Sequence, residues 1–373
     1  MHIPDGYLSP ATCATLYVAA APFWYVALQR VKRLLSTRLV PLLSLFAAFS
    51  FVIMMFNLPL PGGTTGHAVG MGIASIVLGP WASMLAVSVA LLIQALFFGD
   101  GGITAFGANC FNMAIVGSLV AYWVYRAIAG RTAISSSRRV VAGAIAGYVA
   151  INVAALLAAI EFGIQPMLFT DASGAPLYAP YPLSVAIPAM MLGHLTIAGL
   201  AELVVTGGVV AYLQRSDPSL LKLTAPNAQE SAEGIETVER RGGWRTVRPL
   251  LIGLAVLMVI SPLGLLAAGT AWGEWAPEDF ADHQARQAIE SGSLNAQAPA
   301  QAPAGLERLS SVWTAPISGY APAFMQSAEF GYILSAVFGA GLILLTFLLI
   351  SWIARAVRGR DPEPSPPSPG RSL

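Results

Sequence analysis

Apolar residues run along this chain in long continuous stretches instead of alternating with polar ones. The clearest stretches are 39–57, 140–160, 250–268 and 332–353. Each comes close to the roughly 20 apolar residues that carry a helix across a bilayer. Continuous runs predict helices, because the strand of a membrane barrel alternates. Nine spans are expected: 11–29, 39–57, 66–78, 81–98, 108–127, 140–160, 182–213, 249–268 and 330–354. Gly79-Pro80 separates the third from the fourth, since Pro with Gly punctuates helices. The third is short for a full crossing and is expected to lie against protein instead of lipid.

Composition agrees with this pattern. The 373 residues are 56% hydrophobic and 10% charged, whereas a soluble domain carries about 25% charged residues. Charge placement then orients the chain, because basic residues favour the cytoplasmic side. With the N-terminus outside, the inside segments hold Arg30, Lys32, Arg33 and Arg38, then Arg126, Arg131, Arg138 and Arg139. Next come Arg215, Lys222, Arg240, Arg241, Arg245 and Arg248, and last Arg355, Arg358, Arg360 and Arg371. Of the 20 Lys and Arg only Arg286 and Arg308 fall outside, both in one long loop. The fold class expected is an all-α polytopic membrane protein, N-out and C-in. The first basic cluster follows the first apolar segment, which is the reverse of a signal peptide, so the N-terminus is expected to be retained.

The chain divides into parts. Residues 1–213 read as a compact seven-helix bundle, and 214–248 as a polar cytoplasmic linker. Residues 249–354 read as two spans flanking an external loop, 269–329, whose Pro/Ala/Gln tract 295–305 is expected to be flexible. Residues 355–373, rich in Pro and Ser, read as a disordered tail.

The candidate chemistry lies in four histidines, His2, His67, His194 and His283. HExxH, CxxC, Walker and GxSxG motifs are absent, so neither an ATPase nor a standard hydrolase site is expected. Cys13 and Cys110 read as small buried apolar residues. His2 stands out by position. The α-amine of Met1 and the next peptide nitrogen close a five-membered ring on a cation. That peptide nitrogen and Nδ1 of the imidazole close a six-membered one. The three nitrogens share a plane, and a fourth completes the square favoured by Ni(II) and Cu(II). His67 lies in an uncharged Gly- and Pro-rich loop on the same side, where it reads either as that fourth nitrogen or as an exposed loop histidine. Asp100 lies in a third glycine-rich loop on that side and reads as a support or an entry charge. Asn109 and Asn112, three apart on one helix face, read as interhelical hydrogen-bonding residues, as does Gln94. His194 and Glu202 lie inside the seventh span, where ionisable residues default to functional hypotheses; they read as a proton relay, a path lining or a polar helix contact. His283, near Glu278, Asp279 and Asp282, reads as solvated.

Met1-His2-Ile3-Pro4-Asp5-Gly6-Tyr7-Leu8-Ser9-Pro10 resembles the N-terminal signature of the CbiM/NikM family. These are the substrate-binding membrane components of energy-coupling-factor cobalt and nickel transporters. Gly63-Thr64-Thr65-Gly66-His67 resembles a second family motif. Gln94-Ala95-Leu96-Phe97-Phe98-Gly99-Asp100-Gly101-Gly102-Ile103-Thr104 and Gly107-Ala108-Asn109-Cys110-Phe111-Asn112-Met113 resemble further ones, in order. The resemblance covers residues 1–213. It implies a seven-helix fold and metal held by the Met1 amine, His2 and His67; Asp5, Thr65, Asp100, Asn109 and His194 are further candidates for supporting roles. Ser261-Pro262-Leu263-Gly264-Leu265 and Gly269-Thr270-Ala271-Trp272-Gly273-Glu274-Trp275 are similar to a NikN/PDGLE-type accessory unit, although the PDGLE string is absent. The function implied is capture of Ni2+ or Co2+ in the lipid of a bacterial inner membrane. An EcfT/CbiQ/NikQ-like coupling protein and CbiO/NikO-like ATPases would supply the energy. The cation is cargo; no permanent cofactor, nucleic acid or enzymatic activity is implied. A stand-alone secondary transporter using His194 and Glu202 as its relay is the alternative.

Overall fold

The computed structural model describes residues 1–31, 40–224, 233, 236–237 and 243–358. Most of the linker, the tail beyond 358, and Lys32, Arg33, Arg38, Arg240, Arg241, Arg360 and Arg371 lie outside the described residues.

In chain order the first elements are α1 (Pro10–Val31) and α2 (Val40–Met54), followed by a hairpin of β1 (Leu58–Leu60) and β2 (Thr64–Gly66). Then come α3 (Met71–Leu78), α4 (Pro80–Phe98), α5 (Phe106–Ala129), α6 (Ser137–Leu168) and α7 (Leu183–Ser216). The second part holds α8 (Gly243–Ile260), two short helices, α9 (His283–Gly292) and α10 (Ala304–Leu309), and the long α11 (Ala328–Arg358). Each of the nine expected spans thus has a helix. Seven are long and apolar enough to cross a membrane, α8 together with the turn that extends it to Leu266; α2 and α3 are shorter.

Local chemistry sets the helix starts. Pro10 opens α1, where its missing N–H costs nothing, and Ser9 Oγ accepts from Thr12 N at 3.1 Å as its cap. Gly79, at φ 81°, turns the chain before Pro80 opens α4. Helix α2 is apolar all round and almost wholly buried, as such a helix must be. It packs against α4, α8 and α11, so both parts of the chain share one core. In contrast α1 buries one face through Cys13, Ala20 and Ala27 and leaves Val18 and Tyr25 exposed.

The third span departs from expectation. Helix formation begins only at Met71, and residues 67–70 run as irregular chain inside the bundle. Gly70 is in the left-handed region at φ 76°, which breaks the helix there. Glu202 of α7 then takes the freed amides: its carboxylate accepts from Val69 N at 2.8 Å, Gly70 N at 2.9 Å and Gly72 N at 3.2 Å. Thr206 Oγ1 adds a fourth bond at 3.2 Å. Irregular backbone survives here because protein satisfies its amides.

Three helices also carry a wide, π-type turn: Gln94–Phe98 in α4, Cys110–Gly117 in α5 and His194–Ala198 in α7. Such turns shift the helix face by one residue and concentrate at functional sites.

Replacing Glu202 by Ala strands three buried amides. The expected result is a fall in Tm of roughly 5 °C or more, followed by tryptophan fluorescence on heating the detergent-purified chain. Glu202→Gln, which still accepts hydrogen bonds, falls less.

Candidate metal centre

The N-terminal segment folds back into one end of the helix bundle. Asn109, at the start of α5, clamps the main chain of Ile3: Ile3 N donates to Asn109 Oδ1 at 2.8 Å, and Asn109 Nδ2 donates to Ile3 O at 3.0 Å. Gly102 N adds a second donor to Ile3 O at 2.8 Å. The Asp5 carboxylate accepts from Ile103 N at 3.1 Å, from Thr104 N at 2.7 Å and from the Thr104 hydroxyl. Gly102 has to be glycine for this approach, since a Cβ there would collide with the main chain of Asp5.

The clamp carries Met1 and His2 into the interior, where their exposures are 4% and 1%; that of His67 is 5%. The imidazole rings of His2 and His67 lie 5.1 Å apart, tilted by 32°. His2 Nε2 has no hydrogen-bond partner, although it is buried. His2 Nδ1 sits 2.7 Å from Asp100 Oδ1. His67 Nδ1 lies 3.1 Å from the carbonyl of Ala68. With that nitrogen donating, Nε2 keeps a free lone pair.

Two acidic groups face this cluster. The Met1 amine lies 3.6 Å from Glu274 Oε1. Asp100 is held from its other side, where Oδ2 accepts from the Tyr320 hydroxyl at 2.5 Å and from Gln94 Nε2 at 3.1 Å. Burial opposes ionisation of Asp100, yet the imidazole of His2, then His67 and Tyr320, hold its carboxyl below the usual carboxylate range. Burial raises the Glu274 carboxyl, and the adjacent amine works against that rise. His67 is pushed down to about 3, first by burial and then by His2 and the amine, so its imidazole is neutral at physiological pH.

Among the described residues no three His, Cys, Asp or Glu side chains form a ready ligand cage.

The remaining expected residues fall elsewhere. Asn112 does not share the Asn109 contact; its Nδ2 donates to Glu161 Oε2 at 2.8 Å. The wide turn that begins at Cys110 changes the helix face between the two. Thr65 acts through its main chain, with N donating to Thr270 O at 3.3 Å. His194 Nδ1 lies 2.8 Å from Met190 O in its own helix. Among the described residues no hydrogen bond links it to Glu202, whose carboxylate is given to α3. His283 is exposed at the start of α9. Cys13 and Cys110 are free and buried. Sequence reasoning missed Glu274 and Tyr320 as site neighbours. Glu274 sits in the quoted Gly269–Trp275 motif, which was the available signal; nothing marked Tyr320.

Known proteins resemble this chain in sequence and fold. Residues 2–220 match the family described as "Cobalt uptake substrate-specific transmembrane region", and residues 247–356 match the PDGLE domain. The fused nickel transport protein NikMN of Rhodobacter capsulatus is 57% identical over 345 residues, which cover 92% of this chain and 95% of that protein. A probable fused nickel transport protein, LarMN of Lactiplantibacillus plantarum, is 45% identical over 350 residues, covering 92% and 96%. The crystal structure of a truncated transition metal transporter is 52% identical, with a TM-score of 0.54; it covers 57% of this chain and 98% of its own.

Asn109→Ala removes both bonds of the clamp. Amide hydrogen exchange at Ile3 is expected to rise by about tenfold or more, read by mass spectrometry of the N-terminal peptide. Unchanged exchange would mean that Asn109 does not hold the segment.

Proposed function

The chain belongs to the cobalt uptake substrate-specific transmembrane family, joined here to a PDGLE domain, and from that premise we propose that it captures nickel or cobalt ions through its own N-terminus. It is a multi-pass membrane protein and a transport component, not an enzyme. The observation that carries the proposal is the joint burial of the Met1 amine, His2 and His67, with His2 Nε2 unpartnered and Nδ1 against Asp100.

The amine, the His2 peptide nitrogen and His2 Nδ1 form the two fused chelate rings, and His67 Nε2 takes the fourth corner. Four nitrogens in a plane favour nickel over cobalt. Asp100 supplies negative charge beside the dication, and Asn109, Asp5 and Gly102 hold the segment. Thr65 fixes the hairpin that leads to His67, and His194 lies in the surrounding helix wall. The chain sits in a bacterial inner membrane with its N-terminus and residues 269–329 outside. Residues 1–213 form the metal-binding unit, 214–248 the cytoplasmic linker, 249–354 the accessory unit and 355–373 a cytoplasmic tail. In keeping with the family resemblance, an EcfT-like coupling protein and CbiO-like ATPases supply the driving energy.

An added residue before Met1, or acetylation of its amine, destroys the first chelate ring. Nickel affinity of the purified full chain should fall at least about a hundredfold, more than the loss from an outer-shell change, while the fold persists; calorimetry reads it. Retained affinity would overturn the proposal. His67→Ala should weaken binding without abolishing it.

Affinity should rise with pH, because the amine and the peptide nitrogen must lose protons before they bind. The His67 imidazole, at about 3, is already neutral above about pH 5 and contributes no released proton. Calorimetry between about pH 6 and 8, in two buffers of different ionisation enthalpy, counts the protons. His67→Ala should leave that count unchanged.

A further inference from the structure

Residues 269–329 make contact with the N-terminal segment, with the strand that leads to His67 and with the turn that carries Asp100. Glu274 pairs with the Met1 amine, 3.6 Å away. Tyr7, just beyond the ligand segment, donates its hydroxyl to Trp275 O at 2.7 Å. Thr270 O accepts from Thr65 N in the strand leading to His67, at 3.3 Å. Ile317 N donates to Phe97 O at 2.9 Å, and Tyr320 donates to Asp100 at 2.5 Å while stacking on Phe98 at 4.8 Å. Leu306 presses on Gly6, where any Cβ would meet its carbonyl at 2.8 Å.

The tract 295–305, whose composition suggests a loose loop, is tied as well. Ala298 N donates to Glu290 Oε1 at 3.0 Å, and Gly305 N donates to Leu177 O at 2.7 Å. Trp272 and Trp275 close the remaining side against Phe162 and Tyr181, with ring centres 5.6 to 6.2 Å apart. Beneath this cover His2 is 1% exposed, which is too little for a hydrated cation to reach it.

We infer that residues 269–329 are a movable roof over the metal site, with Glu274 and Tyr320 as its two latches, so that a cation enters or leaves only when this segment lifts. The inference rests on the proposed metal site. Glu274 latches the amine of the ligand segment, and Tyr320 latches the carboxylate beside His2. Both are positioning residues: neither belongs to the nitrogen plane. A roof differs from a ligand in its kinetic signature, because lifting is required for entry and exit alike.

The test uses the full chain in detergent with nickel alone as the probe. Binding is followed by stopped-flow competition with a chromogenic chelator, and release by excess chelator. Tyr320→Phe keeps the ring stack and removes only the hydroxyl; Glu274→Gln keeps the shape and removes the charge. Each should speed nickel entry and release together, by on the order of tenfold, while Kd moves less than either rate. Glu274→Asp should restore much of the slow exchange.

On the unmutated chain the entry rate should level off as nickel rises. The plateau should match the rate at which the Thr65 and Ile317 amides open to hydrogen exchange. That measurement stands even if a variant fails to fold. Faster release with unchanged entry would make these residues ordinary ligand supports and overturn the roof, as would unchanged rates or an entry rate that never levels off. His2→Ala separates the two levels. If it still binds nickel, the metal site itself is wrong; if it does not bind and the latch variants exchange normally, only the roof is wrong.

Discussion

The reciprocal pair of hydrogen bonds between Asn109 and the main chain of Ile3 is the constraint on which the site depends. A chain terminus is ordinarily solvated and mobile. Here two bonds from one side chain, a third from Gly102 and the capture of amides by Asp5 fix the residue next to His2. Fixing Ile3 leaves Met1 and His2 few places to go. An ammonium group and two imidazoles taken out of water need compensation. Glu274 and Asp100 provide it, and each is brought by a different part of the chain.

The same logic governs the opposite wall. His67 reaches the interior only because α3 starts late, and α3 starts late because Gly70 breaks the helix and Glu202 satisfies the exposed amides. An intramembrane carboxyl group here holds main-chain amides at the start of α3. The site is thus assembled from two irregular strands of backbone, each held by one buried polar side chain: Asn109 for residues 1–6 and Glu202 for residues 67–72.

Much of this was legible in the sequence, for physical reasons. Continuous apolar runs locate helices because a bilayer leaves the backbone few other options. Met1, His2 and His67 stood out because ionisable residues are rare here, and the charge count placed them on one side. The misreadings have equally definite causes. The third span was drawn from Gly66 because glycine, alanine and valine look helical by hydropathy; only the φ of Gly70 and a partner 132 residues away reveal the break. Asn109 and Asn112 both bond to other segments as expected, but to different ones, Ile3 and Glu161, on either side of the wide turn from Cys110. Glu274 and Tyr320 were invisible because a polar residue in a long loop reads as solvated until the fold shows what it covers.

The central claim is that a nickel ion sits in a plane of main-chain and imidazole nitrogens made by the first two residues and His67. Nickel K-edge X-ray absorption on the full chain loaded with one equivalent of Ni2+ tests it most directly. The account predicts a single shell of four nitrogens with the edge structure of a square-planar site and no sulfur. A six-coordinate shell rich in oxygen, or a sulfur contribution from Met1 or a cysteine, would contradict it.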